Sequence, residues 1–146
     1  MTLRLLKAKE SDSLFFYKLR NDKIIRKNSV STKKIGLDNH IDWFSKAIKK
    51  KSNFFFIIKL KKINCGYLRY EKKRKFLNVS ICIDKKFRNR SIALSALLKG
   101  DKRVKSYKNL ELKAVVKKNN LPSIQLFLKA SYAMFKKEKG LIIFRK

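Results

Sequence analysis

Residues 87 to 98 read FRNRSIALSALL and follow the strand-like run NVSICID. A strand, a basic turn and a helix together make a seat for an anion. The first turn of a helix exposes unpaired N–H groups and about half a unit of positive charge, which can cradle a phosphate. The turn is Arg88-Asn89-Arg90-Ser91-Ile92-Ala93. Such turns usually carry glycine, which lets the backbone approach a ligand closely. Here the small polar residues Asn89 and Ser91 stand instead, and Arg88 and Arg90 add charge. A second group is Asn120 and Ser123 around Pro122, where an asparagine can cap a helix and proline suits its first position. A third is His40 with Trp43, three residues apart and so on one side of a helix. The ordinary pKa of His40 suits proton transfer near neutrality, and an indole can stack on a sugar or base. The same pair also reads as a packed, hydrogen-bonded unit without chemistry. Glu71 and Asp84, at strand ends, are further carboxylates able to take a proton, and Arg20, Arg26 and Asn28 could hold a diphosphate.

The elements that must position these residues follow from periodicity and punctuation. Thr2–Ala8 reads as a strand. Ser11 or Ser13 starts a helix to about Arg20, with Leu14, Phe15 and Leu19 on one side, and a short helical turn follows near Ile24–Asn28. A longer helix, Leu37 to Lys50, carries Leu37, Ile41, Phe44 and Ile48 as its apolar stripe, with His40 and Trp43 flanking it. Asn53–Leu60 is apolar enough for a central strand, and Cys65–Glu71 and Phe76–Asp84 return beside it. After the basic turn come a helix to about Val104, a strand at Leu110–Val116 and a helix at Pro122–Lys129. Tyr132–Lys137 and Leu141–Phe144 form a hairpin around Gly140. The order predicts one mixed α/β domain over residues 1–146, a sheet with helices on both faces.

Composition limits the function classes. The chain has 146 residues, 45% of them hydrophobic, which suits one domain with a real core and excludes a disordered basic tail. No run reaches the roughly 18 apolar residues of a membrane span. The N-terminus, MTLRLLKAKESD, lacks the apolar run of a signal peptide, and a cytoplasmic location is expected. One histidine and two cysteines, Cys65 and Cys82, at no metal-binding spacing argue against a zinc site; both thiols read as reduced core residues. Forty Lys and Arg against ten acids give a net charge of +30. An AT-rich coding bias explains many of the lysines but not the scarcity of acids. Such a surface favours anionic partners, nonspecific nucleic acid among them. The lysines nevertheless lie in short groups at element ends along the whole chain, as a solvated surface would place them.

The element order and two local motifs resemble the GNAT superfamily of acyl-CoA N-acyltransferases over nearly the whole chain. The family's pyrophosphate loop reads Gln/Arg-x-x-Gly-x-Gly/Ala; Arg88 and Ala93 match it, and Ser91 replaces a glycine. Its second motif reads Asn-x-x-Ser/Ala-Ile-x-Leu-Phe/Tyr-x-Lys-x-Gly-Phe/Tyr. Asn120, Ser123, Ile124, Leu126, Phe127, Lys129 and Tyr132 match it, and Ser131 replaces the glycine. The stretch Leu19–Phe44, with Arg-Asn-Asp, Arg-x-Asn-Ser and His-x-x-Trp-Phe, resembles one branch of that superfamily. That branch includes acetyltransferases for amino-sugar nucleotides, such as those of pseudaminic-acid synthesis, and lies near the group acting on ribosomal-protein N-termini.

The resemblance implies a GNAT-like, mostly antiparallel mixed sheet and acetyl-CoA as co-substrate, with no metal. Its pyrophosphate would lie on Arg88–Ala93, with Asn120 near its arm. The arm would add to the backbone at Ile81, Cys82 and Ile83, between two splayed parallel strands. Phe127 stands where many relatives carry an acidic tyrosine, which leaves Ser123, a water or an unassisted thiolate. Asn78 stands where relatives often carry a glutamate base, which leaves His40, Glu71, Asp84 or a water chain. The acceptor is a small-molecule amine, foremost on an amino-sugar nucleotide bound by Arg20, Asn28, His40 and Trp43. A protein N-terminus is the alternative acceptor. A nonenzymatic RNA-binding or scaffold protein of this fold is the alternative class.

Overall fold

The computed structural model describes residues 2–146. Seven strands form one sheet: β1 (Leu3–Lys7), β2 (Phe54–Leu60), β3 (Ile63–Lys73), β4 (Phe76–Ile83), β5 (Glu111–Lys117), β6 (Ala133–Glu138) and β7 (Leu141–Arg145). Their spatial order is β1-β2-β3-β4-β5-β7-β6. Every neighbouring pair is antiparallel except β4 and β5. That pair needs a long crossover, which α4 (Ile92–Tyr107) supplies. The other helices are α1 (Ser13–Arg20), α2 (Lys23–Asn28), α3 (Leu37–Lys49) and α5 (Leu121–Lys129). The mixed, mostly antiparallel α/β architecture is the expected one.

Two apolar layers flank the sheet. On one face Ile92, Ala96, Leu97 and Val104 of α4 and Phe127 of α5 pack on Leu68, Leu77, Leu112 and Phe144. On the other, Phe16 and Leu19 of α1 and Phe44 and Ala47 of α3 pack on Phe55, Ile57 and Tyr67. Strand β2 is buried on both faces, which explains the unbroken apolar run FFFII. Gly100 is required where α4 crosses β3, because a Cβ there would collide with the side chains of Leu68 and Tyr70.

The stripe of α3 is rotated from its expected position. Leu37 and Ile41 are exposed, and His40, Phe44 and Ala47 form the buried line. His40 therefore belongs to the stripe rather than flanking it. On α1 the buried residues are Phe16 and Leu19, while Leu14 is exposed.

The outer edge of the sheet is also engaged. Lys99 and Arg103 of α4 donate to the carbonyls of Leu3 (3.1 Å) and Leu5 (2.9 Å) on β1. At the opposite edge, β6 is exposed along its length and bulges between Met134 and Lys136.

Candidate active site

The parallel pair β4–β5 is a fork. Only Phe76–Glu111, Leu77–Leu112 and Asn78–Lys113 pair, and the strands then separate. Beyond Asn78 the β5-facing backbone groups of β4 have no strand partner, so an extended ligand can join there as an added strand. The opening continues into a cleft of about 1130 Å³. Ile81, Cys82 and Ile83 line its β4 wall, and Asn120 and Ser123 line it from the start of α5.

The basic turn closes one end. Asn89 (φ 63°) and Ser91 (φ 58°) both adopt the left-handed conformation that glycine takes freely. A non-glycine residue there costs about 1–2 kcal/mol. The turn thus keeps glycine's geometry without glycine, and strain of this kind gathers at ligand clamps. Ser91 precedes α4 but makes no side-chain capping bond, so the first N–H groups of a 16-residue helix stay free beside Ile92 and Ala93, which line the cleft. Arg88 also lines the cleft, but its Nε donates to the Ile83 carbonyl (3.1 Å) and its guanidinium lies 3.8 Å from Asp22. It fastens the turn to β4 and α2. Arg90 lies over the Phe87 ring, its guanidinium carbon 5.6 Å from the centroid.

The second motif folds as a capped helix. Asn120 accepts from the Ser123 N–H (3.4 Å), the capping bond expected of it, while also facing the cleft. Ser131 ends α5 at φ 70°. The Tyr132 N–H reaches the Phe127 carbonyl (2.9 Å) and the Ser131 N–H that of Leu128 (3.1 Å), a Schellman ending. Both serines that replace expected glycines therefore hold positive φ. The Tyr132 hydroxyl donates to buried Asp101 (3.0 Å), which also accepts from Tyr70 (2.7 Å) and Lys146 (3.1 Å).

The Arg-Asn-Asp sequence divides its labour. Asn21 clamps Ile35 through two hydrogen bonds, at 2.9 and 3.1 Å. Asp22 caps α2 through the Ile24 and Ile25 N–H groups. Lys117, at the far end of β5, donates to the Lys27 carbonyl (2.9 Å). With the Asp22–Arg88 pair on the β4 side, these ties hold α2 over the open half of the fork, and Asn28 and Arg20 line the cleft.

His40 stands elsewhere. It is fully buried, does not line the cleft, and its Nε2 donates to the Ser13 carbonyl (2.9 Å). Its Nδ1 is buried with no partner among the described residues. A second ring proton would be stranded there, so burial foremost pushes the pKa of His40 down. That geometry is of a packed core imidazole, set apart from the cleft where the resemblance would place a base. Glu71 lies opposite Asn78 in the β3–β4 ladder but does not itself line the cleft, and its carboxylate pairs with Arg69 at 3.0 Å and with Lys73 at 3.8 Å. Asp84 accepts from the Lys86 N–H (3.1 Å) and caps a turn.

Trp43 meets the site through two cations. The guanidinium carbons of Arg20 and Arg69 lie 4.5 and 5.1 Å from its ring centroid. Arg69, not anticipated from the sequence, lines the same wall as Ser80, its partner across the ladder. The alternation Tyr67-x-Arg69-x-Glu71, polar on one side of a strand whose other side is core, was the available signal. The thiol of Cys82 donates to the Tyr67 hydroxyl (3.1 Å), and burial pushes its pKa up, away from a reactive thiolate.

Among the described residues no three His, Cys, Asp or Glu side chains gather as a metal site, and no helix is long and apolar enough to cross a membrane.

No family model and no curated protein matches the sequence. Solved structures match it over nearly its full length. A domain from Methanocaldococcus jannaschii superposes with a TM-score of 0.85 at 16% identity, covering 99% of this chain and 97% of that one. Spermidine N-acetyltransferase from Vibrio cholerae, in complex with CoA and spermine, gives 0.81 at 15%, covering 98% and 92%. Ribosomal-protein-alanine N-acetyltransferase from Brucella melitensis gives 0.81 at 17%, covering 100% and 99%. At these identities the likeness is one of fold: the chain has the fold of the GNAT N-acetyltransferases.

Proposed function

We propose that this protein is an acetyl-CoA-dependent N-acetyltransferase acting on a primary amine, and that the amine belongs to an amino-sugar nucleotide. One observation carries the transferase reading. A parallel strand pair opens after three residue pairs, and at its mouth a left-handed turn leads into an uncapped helix. An extended arm needs the first feature and a pyrophosphate needs the second.

The residues fit acetyl-CoA, whose thioester supplies the acetyl group. The free N–H groups at the start of α4 hold the pyrophosphate, with the Ser91 hydroxyl beside them. The unpaired edge of β4 at Val79–Ile83 bonds the arm, and an N–H there polarises the carbonyl under attack. Glu71, across from Asn78 but not itself lining the cleft, receives through water the proton that the amine must lose. Phe127 is buried and has no proton to give, so Ser123 is the hydroxyl of α5 available to the departing thiolate. The nucleotide-sugar acceptor rests on the Leu19–Phe44 resemblance and on Arg20 and Asn28 lining the cleft.

Calorimetric titration with acetyl-CoA, from low to high salt, tests this reading, with ATP and a phosphate-matched nucleotide lacking pantetheine as controls. A cation this strong binds any polyphosphate loosely at low salt. Stoichiometric binding of acetyl-CoA alone at high salt is expected. Equal loss of all three with salt would overturn the reading. Transfer to a panel of amino-sugar nucleotides then tests the acceptor.

A further inference from the structure

We infer that the acceptor carries an anionic group, a carboxylate or a phosphate, which Arg20 and Arg69 grip together against Trp43. The inference rests on the transferase reading for the word acceptor, but the site stands on its own geometry. Two guanidiniums share one indole, at 4.5 and 5.1 Å from its centroid, and both line the cleft. Arg69 is compensated by Glu71 at 3.0 Å. Arg20 has no such partner. Among the described residues no carboxylate lies within ion-pair distance of it and it makes no side-chain hydrogen bond. Its surroundings press against its charge, first by desolvation and then by the repulsion of Arg69.

The other charges around this end do not change the balance. Asp22 is spent on Arg88 and on the cap of α2, and burial of His40 beneath disfavours its charged form. Glu71 is shared with Lys73 at 3.8 Å, so four cations and two carboxylates leave this end of the pocket net positive. A desolvated cation without a counterion is costly, and a bound anion removes that cost. The planar fork of arginine suits carboxylate and phosphate oxygens alike. Asn78 and Ser80, in register with Glu71 and Arg69, put neutral hydrogen-bonding groups on the adjoining wall. The pocket therefore selects an acceptor with an acid near its amine and disfavours a polycation.

Trp43 is the sole tryptophan, so its emission reports this pocket directly. The experiment titrates matched ligand pairs at high salt: an amino-sugar nucleotide against the same sugar without its diphosphate, and an amino acid against its amide. It uses wild type, Arg20→Gln and the charge-retaining Arg20→Lys, each checked for acetyl-CoA affinity. In wild type the anionic member of one pair is expected to shift Trp43 emission and bind about a hundredfold more tightly than its neutral twin. The pair that responds tells phosphate from carboxylate. Arg20→Gln abolishes the preference, Arg20→Lys retains part of it, and neither changes acetyl-CoA affinity. Equal binding of neutral and anionic members in wild type would overturn the inference, as would an undiminished preference in Arg20→Gln. Loss of the transferase reading shows separately, as failure of acetyl-CoA to bind while Trp43 still responds to anions.

Discussion

Glu71 lies directly across the β3–β4 ladder from Asn78, which lines the cleft while Glu71 does not. Glu71→Gln is expected to lower the turnover number about a hundredfold or more, the usual worth of a positioned base, with little change in acetyl-CoA affinity. The double variant Glu71→Gln/Asn78→Glu places a carboxylate on the cleft wall itself and is expected to recover part of the rate. Initial rates of thiolate release measure both. A turnover number unchanged in Glu71→Gln would assign proton removal to water.

His40 is expected to affect stability and not the reaction. Its folded pKa lies below the ordinary 6.5 because burial disfavours the charged ring. Above that value the unfolded chain is neutral too, and His40 places no pH dependence on folding. As pH falls below 6.5 the unfolded state takes up a proton first, and stability declines until the folded ring also titrates. Urea unfolding from pH 8 to pH 5 should show this decline in wild type and a shallower one in His40→Phe. Equal slopes would show that His40 is not protected from protonation in the fold.

Ser91 and Ser131 hold positive φ, so glycine at either position should relieve strain. Each substitution is expected to stabilise the fold by about 0.5–1 kcal/mol after glycine's greater unfolded-state entropy is subtracted. Thermal unfolding should rank both variants above wild type. Ser131→Gly should leave acetyl-CoA affinity alone, whereas Ser91→Gly, at the proposed pyrophosphate seat, should change it. Identical effects of both variants on affinity would argue against that seat.

Asp101 accepts bonds from Tyr70, Tyr132 and Lys146 while almost fully buried. Asp101→Ala strands two hydroxyls and an ammonium, and should cost about 2–4 kcal/mol in chemical denaturation. A loss below about 1 kcal/mol would mean that water replaces the carboxylate.

Much of this architecture was legible in the chain. Strand and helix positions follow from alternation and from Gly, Pro and Asn punctuation, and Pro122 and Asn120 mark the start of α5 within one residue. The rotation of α3 was not legible. Leu37 and Ile41 are as apolar as a core stripe requires, and it is tertiary contact that sets which side faces inward: Phe44 packs on Phe16, with ring centroids 4.8 Å apart, and His40 bonds the Ser13 carbonyl. The site was read unevenly for the same reason. Local motifs name the turn and the α5 cap, because helix ends are local structures. Arg69 and the Glu71–Asn78 pairing depend on strand register, which no short motif encodes.

The bonds from Lys99 and Arg103 to the outer carbonyls of β1 give the cationic surface a meaning apart from any ligand. A seven-stranded sheet ends in two rows of backbone groups, each a template on which another chain can add. Here two long basic side chains occupy carbonyls on one row. The other row is kinked by a bulge and carries Lys136 and Lys137. Copies meeting edge to edge would face lysine against lysine. Part of the charge is thus a barrier to fibrillar self-association, in a protein rich in phenylalanine and β-branched strands.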